Sequence, residues 1–255
     1  MVLKSYSKIN LTLNVTKKLK SGLHDIQSYY CLVNLNDKIQ IIKNKKKKDK
    51  ILFKGQFRKY VSTSSNSITY LLKILRESKL ISNHYSVVIT KNIPVFSGLG
   101  GGTSNAATIF NFLVKRGIKK KKIMEKIRKK IGSDFILFFK SQGYQENLKS
   151  IKMVKKHNLY VLLSRPNINC STKEIYSRVK KFTKKTKFDA QVTNSKKKFI
   201  KYVIKNKNDL QTIVEKKYPI TRKLLNFISA SEGCYLSRIS GSGSVCYGFF
   251  FNVKK

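Results

Sequence analysis

Polar and apolar residues alternate over residues 3–16, which predicts a strand with Ile9, Leu11, Leu13 and Val15 on one face and Lys8 and Asn10 on the other. Further strands are predicted at residues 26–33, 38–43 and 51–53, with KNKKKKDK (43–50) as a solvated hairpin tip between the last two. Over residues 67–80, Ile68, Leu71, Leu72, Ile74 and Leu75 recur at helical spacing. A strand at 85–90, a glycine cluster, a helix over about 104–115 and a very basic helix over 119–130, ending at Gly132, follow. The second half opens with a strand at 160–163, halted by Pro166, and continues with helical patterns at 172–180, 196–205, 208–217 and 220–230. Two apolar strands, 234–239 and 245–251, close the chain through a GSGS link. Strands and helices mix in both halves, so the class is α+β or mixed α/β. No internal repeat is visible. The sequence turns polar around 145–158, which predicts two domains, 1–152 and 153–255.

Composition supports a folded chain and narrows its chemistry. The protein has 255 residues, 41% hydrophobic and 11% aromatic, which excludes a disordered or collagen-like chain. Its net charge of +43 invites a nucleic-acid or membrane-surface partner. Yet only eight of the 55 basic residues are arginine, the side chain that pairs bidentately with phosphate and guanine. Abundant Lys, Asn and Ile with no Trp is what an A- and T-rich coding sequence produces. The charge therefore reads as a solvated surface that gathers anions, with no specific nucleic acid expected. The start, MVLKSYSKINLTLNV, lacks a continuous apolar run, so neither signal peptide nor anchor is expected, and no stretch reaches the length of a membrane span. Cys31, Cys170, Cys234 and Cys246 are far apart, which argues against zinc or a disulfide framework and for free thiols in the cytoplasm. No Ser-His-Asp arrangement or metal-ligand spacing of histidines supports a hydrolase or metalloenzyme.

Four segments carry candidate chemistry. In IPVFSGLGGGTSNAATIF, Gly98, Gly100, Gly101 and Gly102 lie between a strand and a helix. Glycines there let backbone N–H groups approach a ligand closely, and the helix start adds its own unpaired N–H groups and positive dipole end, a combination suited to phosphate. The lysine of a P-loop is absent, and the third glycine of a dinucleotide fingerprint is replaced by Thr103. Alternatively the segment is a flexible turn with Thr103 or Ser104 as helix N-cap. Asp134, in KKIGSDFILFF, precedes five apolar residues, where a carboxylate must be bonded, paired or kept for function; it is either a general base or a helix cap. Lys8 and Asn10 share one strand face and matter if that face looks into a cleft. His24, in GLHDIQS, is one of three histidines.

These segments, in this order, resemble the GHMP kinase superfamily: SKINLTLNV, GLHDIQS, PVFSGLGGGTSNAA, GSDFILFF, RPNINCSTKEIYS, NDLQTIVEKKYP and SRISGSGSVCYGFF cover nearly the whole chain. The resemblance implies a two-domain fold, an N-terminal domain like ribosomal protein S5 domain 2 and a ferredoxin-like C-terminal domain, with the active site between them. It implies ATP as co-substrate, with Mg2+. Pro94, Val95, Phe96, Ser97, Gly98, Leu99, Gly100, Gly101, Gly102, Thr103 and Ser104 would wrap the ATP phosphates, with Gly241 and Gly243 in support. Asp134 would take the acceptor's proton, and Lys8 would hold it ionised and orient the hydroxyl. Asn10 would contact the same substrate, His24 would read a cytosine edge and Tyr176 would stack on the cytosine ring. The lysine-x-asparagine start and the glycine-x-histidine segment point to cytidyl-diphospho-methylerythritol, of the non-mevalonate isoprenoid route, as the small-molecule acceptor.

The chain departs from that pattern in places. Leu23 stands where the family usually has an aromatic residue, Phe96 and Ser97 replace small residues before the glycine core, and SQGYQENLKS shortens a glycine- and glutamate-containing element, keeping Gly143 and Glu146. The sequence names no protein ligand for magnesium; Ser104 is only a candidate. A kinase for another small alcohol, homoserine or mevalonate, and a basic RNA-binding protein are the alternatives.

Overall fold

A computed structural model describes residues 1–114 and 121–252. Its elements, in chain order, are β1 (Val2–Asn10), β2 (Asn14–Lys18), β3 (His24–Asn44), β4 (Lys50–Lys54), α1 (Ser67–Glu77), β5 (His84–Thr90), α2 (Gly101–Leu113) and α3 (Lys121–Ile131). After a 3-10 turn over Ser133–Phe139 come β6 (Gln142–Asn147), β7 (Ser150–Met153), β8 (Tyr160–Ser164), α4 (Thr172–Ser177), α5 (Lys196–Lys205), α6 (Gln211–Lys217), α7 (Pro219–Ala230), β9 (Cys234–Ile239) and β10 (Cys246–Phe250). The class is mixed α/β, as the pattern predicts. Two compact units interleave along the chain: Met1–Lys8, Leu32–Val95 and Gly100–Phe139 form the first, and Ile9–Cys31, Phe96–Leu99 and Lys140–Lys255 the second. No unit limit falls at residue 152: residues 140–255 lie in one unit, and each unit is built from several stretches.

In the first unit β5 pairs antiparallel with the later part of β3 (Asn44 opposite His84) and parallel with β4 (Lys50 opposite Ser86). Because β5 lies between β3 and β4, residues 43–50 do not close a hairpin; they carry the chain across one strand. Lys45, Lys46, Lys47 and Lys48 are exposed there, as a solvated charge run requires. Helices α1, α2 and α3 supply one apolar core with the sheet, including Leu71, Leu72, Ile109, Phe110, Ile127 and Phe135. The start of α1 is set by Asn66, whose side chain accepts from the Ile68 and Thr69 amides while Thr69 Oγ1 accepts from the Asn66 amide, a complete capping box. The expected helix ends at 115 and 119 fall outside the described residues.

In the second unit the early part of β3 pairs with β2 (Val15 opposite Ile26) and with β6 (Ser28 opposite Gln145), and β6 continues to β7. A separate three-stranded sheet runs β8-β10-β9, all antiparallel. The core packs Leu13, Val15 and Ile26 with Leu210, Val214, Leu225 and Ile228. The strand expected over 3–16 is broken after Asn10, because the Leu11 and Thr12 amides both turn to the Tyr29 carbonyl, at 2.7 and 3.3 Å. All four predicted inward residues, Ile9, Leu11, Leu13 and Val15, are nevertheless buried. Among the described residues, no helix is long and apolar enough to cross a membrane.

Candidate active site

The glycine segment forms the turn from β5 into α2. Gly100 adopts a left-handed conformation (φ 70°) and is itself the N-cap of α2, so the helix starts earlier than an N-cap at Thr103 or Ser104 requires. The Ser104 amide closes the first turn onto the Gly100 carbonyl at 2.9 Å. Only glycine suits Gly100: beyond the positive φ, an added Cβ would stand 2.8 Å from Phe138 Cζ and 3.6 Å from Lys8 Cε. Those distances place the helix N-terminus, with its outward N–H groups and positive dipole end, directly beside the Lys8 side chain.

Lys8 is the last residue of its segment in the first unit and is buried, with Nζ 3.2 Å from Asp134 Oδ2. Asp134 opens the 3-10 turn, which is anchored by burial of Phe135, Leu137 and Phe138 and by the Phe135 amide donating to the Gly132 carbonyl. Its side chain remains 30% exposed, against 6% for Lys8. The pair puts a cation and a proton-accepting carboxylate side by side at the start of α2.

Ser104 does not present a metal ligand. Its hydroxyl donates to the Tyr6 carbonyl, lies 2.8 Å from Ser5 Oγ and is 1% exposed. Among the described residues no three His, Cys, Asp or Glu side chains converge as a metal cage. Magnesium in phosphate sites is commonly held by phosphate oxygens, waters and one or two carboxylates, and Asp134 is a carboxylate next to the glycine turn.

The middle of the glycine turn belongs to the second unit. There Ser97 O accepts from the Val245 amide at 3.2 Å, and a Cβ on Gly98 (φ 75°) would stand 2.5 Å from Ser240 O and 3.0 Å from Gly243 O. The GSGS link between β9 and β10 thus lies against Gly98. Phe96 holds a left-handed conformation (φ 57°) and is exposed. Asn10 is buried, donating from Nδ2 to Ser28 Oγ at 2.8 Å and from its amide to Ser240 Oγ at 3.3 Å.

His24, at the start of β3, has two aromatic neighbours in the second unit. Its ring centroid is 5.2 Å from that of Tyr176, on α4, and 6.3 Å from that of Phe182. Burial, with Lys18 nearby, holds the imidazole below its ordinary pKa of 6.5 and so neutral at pH 7. Leu23 is 54% exposed and offers only an aliphatic surface. Sequence reasoning does not single out Phe182. Its signal is that it is one of two phenylalanines, with Phe188, in the otherwise lysine- and threonine-rich KKFTKKTKF.

The structure therefore brings together Lys8, Asp134 and the start of α2 in one unit, and His24 and Tyr176 in the other. The four thiols are free, with Cys31, Cys170 and Cys246 buried and Cys234 partly so. Comparison with known proteins adds the family. Residues 66–136 match the GHMP kinases N terminal domain, and residues 197–254 the GHMP kinases C terminal domain. The chain is 40% identical to a 4-diphosphocytidyl-2-C-methyl-D-erythritol kinase of Pelagibacter ubique (strain HTCC1062), over 99% of this chain and 90% of that one. It is 30% identical to a protein of the same name from Anaplasma marginale (strain Florida), over 96% and 86%. A crystal structure of 4-(cytidine 5'-diphospho)-2C-methyl-D-erythritol kinase has the same fold, with a TM-score of 0.74 at 18% identity over 98% of this chain and 90% of that one. Matches of this extent and identity make the chain a member of the GHMP kinases and, within them, of the 4-diphosphocytidyl-2-C-methyl-D-erythritol kinase family.

Proposed function

We propose that the protein uses ATP to phosphorylate the 2-hydroxyl of 4-diphosphocytidyl-2-C-methyl-D-erythritol, a step of non-mevalonate isoprenoid biosynthesis, with Asp134 as base. The observation that carries the mechanism is the Lys8–Asp134 pair beside Gly100, at the N-terminus of α2. Asp134 accepts the hydroxyl proton, the freed oxygen attacks the γ-phosphorus, and the bond to the bridging oxygen breaks to release ADP. Lys8, ion-paired with Asp134, orients the attacking hydroxyl. The N–H groups of the glycine turn and of the first turn of α2 receive the phosphates, where positioning and charge supply most of the rate. Magnesium, when bound with ATP, neutralises phosphate charge.

The cytidyl end of the acceptor is assigned to the second unit. A neutral His24 offers one N–H donor and one acceptor nitrogen to the polar edge of cytosine. Tyr176 stacks on the ring, and Phe182 supplies a second aromatic surface where Leu23 gives none.

The test is ADP release with Mg·ATP and the cytidyl-diphospho acceptor, run beside homoserine and mevalonate, for wild type and Asp134→Asn. Turnover with the cytidyl acceptor alone, competed by cytidine nucleotides and reduced about 10²–10⁴-fold by Asp134→Asn, is expected. Turnover that survives Asp134→Asn removes the base from the mechanism. Turnover with homoserine or mevalonate instead removes the substrate.

A further inference from the structure

Asp37 lies in β3 with no exposed surface, and its carboxylate collects donors from both ends of the glycine turn. Oδ1 accepts from the Asn92 and Ile93 amides, at 2.7 and 2.8 Å, on the stretch leading into the turn. Oδ2 accepts from Lys91 Nζ and, at 2.9 Å, from Asn105 Nδ2, in the first turns of α2 on the way out. Lys91 also donates to Asn105 Oδ1 at 3.1 Å, and Asn105 Nδ2 reaches Ser5 Oγ at 3.0 Å. One buried carboxylate therefore ties the residues before the turn to the helix after it.

We propose that Asp37 is the positioning residue of the phosphate-binding turn, fixing the separation between residues 91–93 and the start of α2 at which the turn's N–H groups face the phosphates of ATP. This deepens the function above and rests on the phosphate-binding role given there to the glycine turn. The position of Lys91 explains why a carboxylate is needed. A Cβ added to Gly101 would stand 3.3 Å from Lys91 Nζ, so a buried ammonium sits under the positive end of α2. Two positive elements so close repel one another unless an anion stands between them, and Asp37 is that anion. Any displacement of the α2 start moves the N–H groups that receive phosphate, and small displacements at a reacting group cost large factors in rate.

Asp37→Asn keeps the volume and the Oδ1 contacts but turns a donor toward Lys91 and Asn105, releasing the helix end of the turn. The expected result is a KM for ATP raised about tenfold, a KM for the acceptor within about twofold of wild type, and MgADP affinity by calorimetry weakened in step with ATP. A purely structural role lowers kcat with the folded fraction and leaves both KM values in place. Ser5→Ala uncovers no charge and keeps the melting curve near wild type, with the KM for ATP raised about threefold; it decides the question if Asp37→Asn does not fold. An unchanged KM for ATP and unchanged MgADP affinity in variants that melt like wild type overturn the proposal. MgADP calorimetry needs no acceptor, so it reads the turn even if the assigned acceptor is wrong.

Discussion

His24 carries a consequence for pH. Burial and Lys18 hold its pKa below 6.5, so the folded protein takes up this proton less readily than the unfolded chain. Stability from this group is present in full above pH 6.5 and is lost as pH falls through the lower folded value. Cytosine recognition by a neutral imidazole follows the same direction, with the KM for the acceptor flat from pH 8 to 6.5 and rising below the folded pKa. An NMR titration of His24, assigned against a His24→Gln variant, checks this, and a pKa at or above 6.5 refutes it. Residue-level chemistry was partly legible in the sequence. Asp134 stood out by position, as one acid ahead of an apolar run, whereas Lys8, one of two lysines in the first predicted strand, gained its role only from the family resemblance. Asp37 did not stand out, because its burial depends on Lys91 and Asn105, which are distant in sequence and look like ordinary surface residues until the fold places them.

At the level of elements, helices were more legible than strands. The apolar positions of α1 recur at one spacing and all five are buried, each worth about 1.5–3 kcal/mol, so the pattern and the packing agree. Strand β3 reads as two strands in the sequence because NLND interrupts the apolar alternation, yet it runs unbroken from His24 to Asn44. The polar interruption is where Asp37 binds the Asn92 and Ile93 amides, so a tertiary contact overrides the local pattern. β6 was invisible for a related reason: Gln142 and Gln145 are buried polar residues, and alternation of apolar side chains is what a strand signal detects. The turn into α2 makes a sharper prediction. Gly98→Ala puts a methyl 2.5 Å from the Ser240 carbonyl at a positive φ, where main chain cannot step aside cheaply. The expected loss is about 2–3 kcal/mol, seen as a lower Tm in thermal unfolding; a variant melting like wild type would show that the GSGS link yields.

For the whole molecule, charge and chain path matter most. The molecule carries a net charge of +43, so it attracts anionic substrates such as ATP at a distance over roughly the Debye length of 8 Å at physiological salt. Raising NaCl from 50 to 500 mM should lower kcat/KM several-fold through KM, with kcat little changed; a flat profile means the lysines only solvate the surface.

The interleaving of the units limits how this enzyme can be rearranged in evolution. The unit holding His24 and Tyr176 is encoded in three separated stretches of the gene, Ile9–Cys31, Phe96–Leu99 and Lys140–Lys255. A single recombination crossover between two related genes, placed anywhere from residue 32 to residue 139, gives a chimera with the first stretch from one parent and the last from the other. The ring group of His24, Tyr176 and Phe182 would then be assembled from two lineages. Exchanging this ring group intact therefore takes at least a double crossover that carries residues 9–31 together with the C-terminal stretch, so the two stretches are expected to be inherited together.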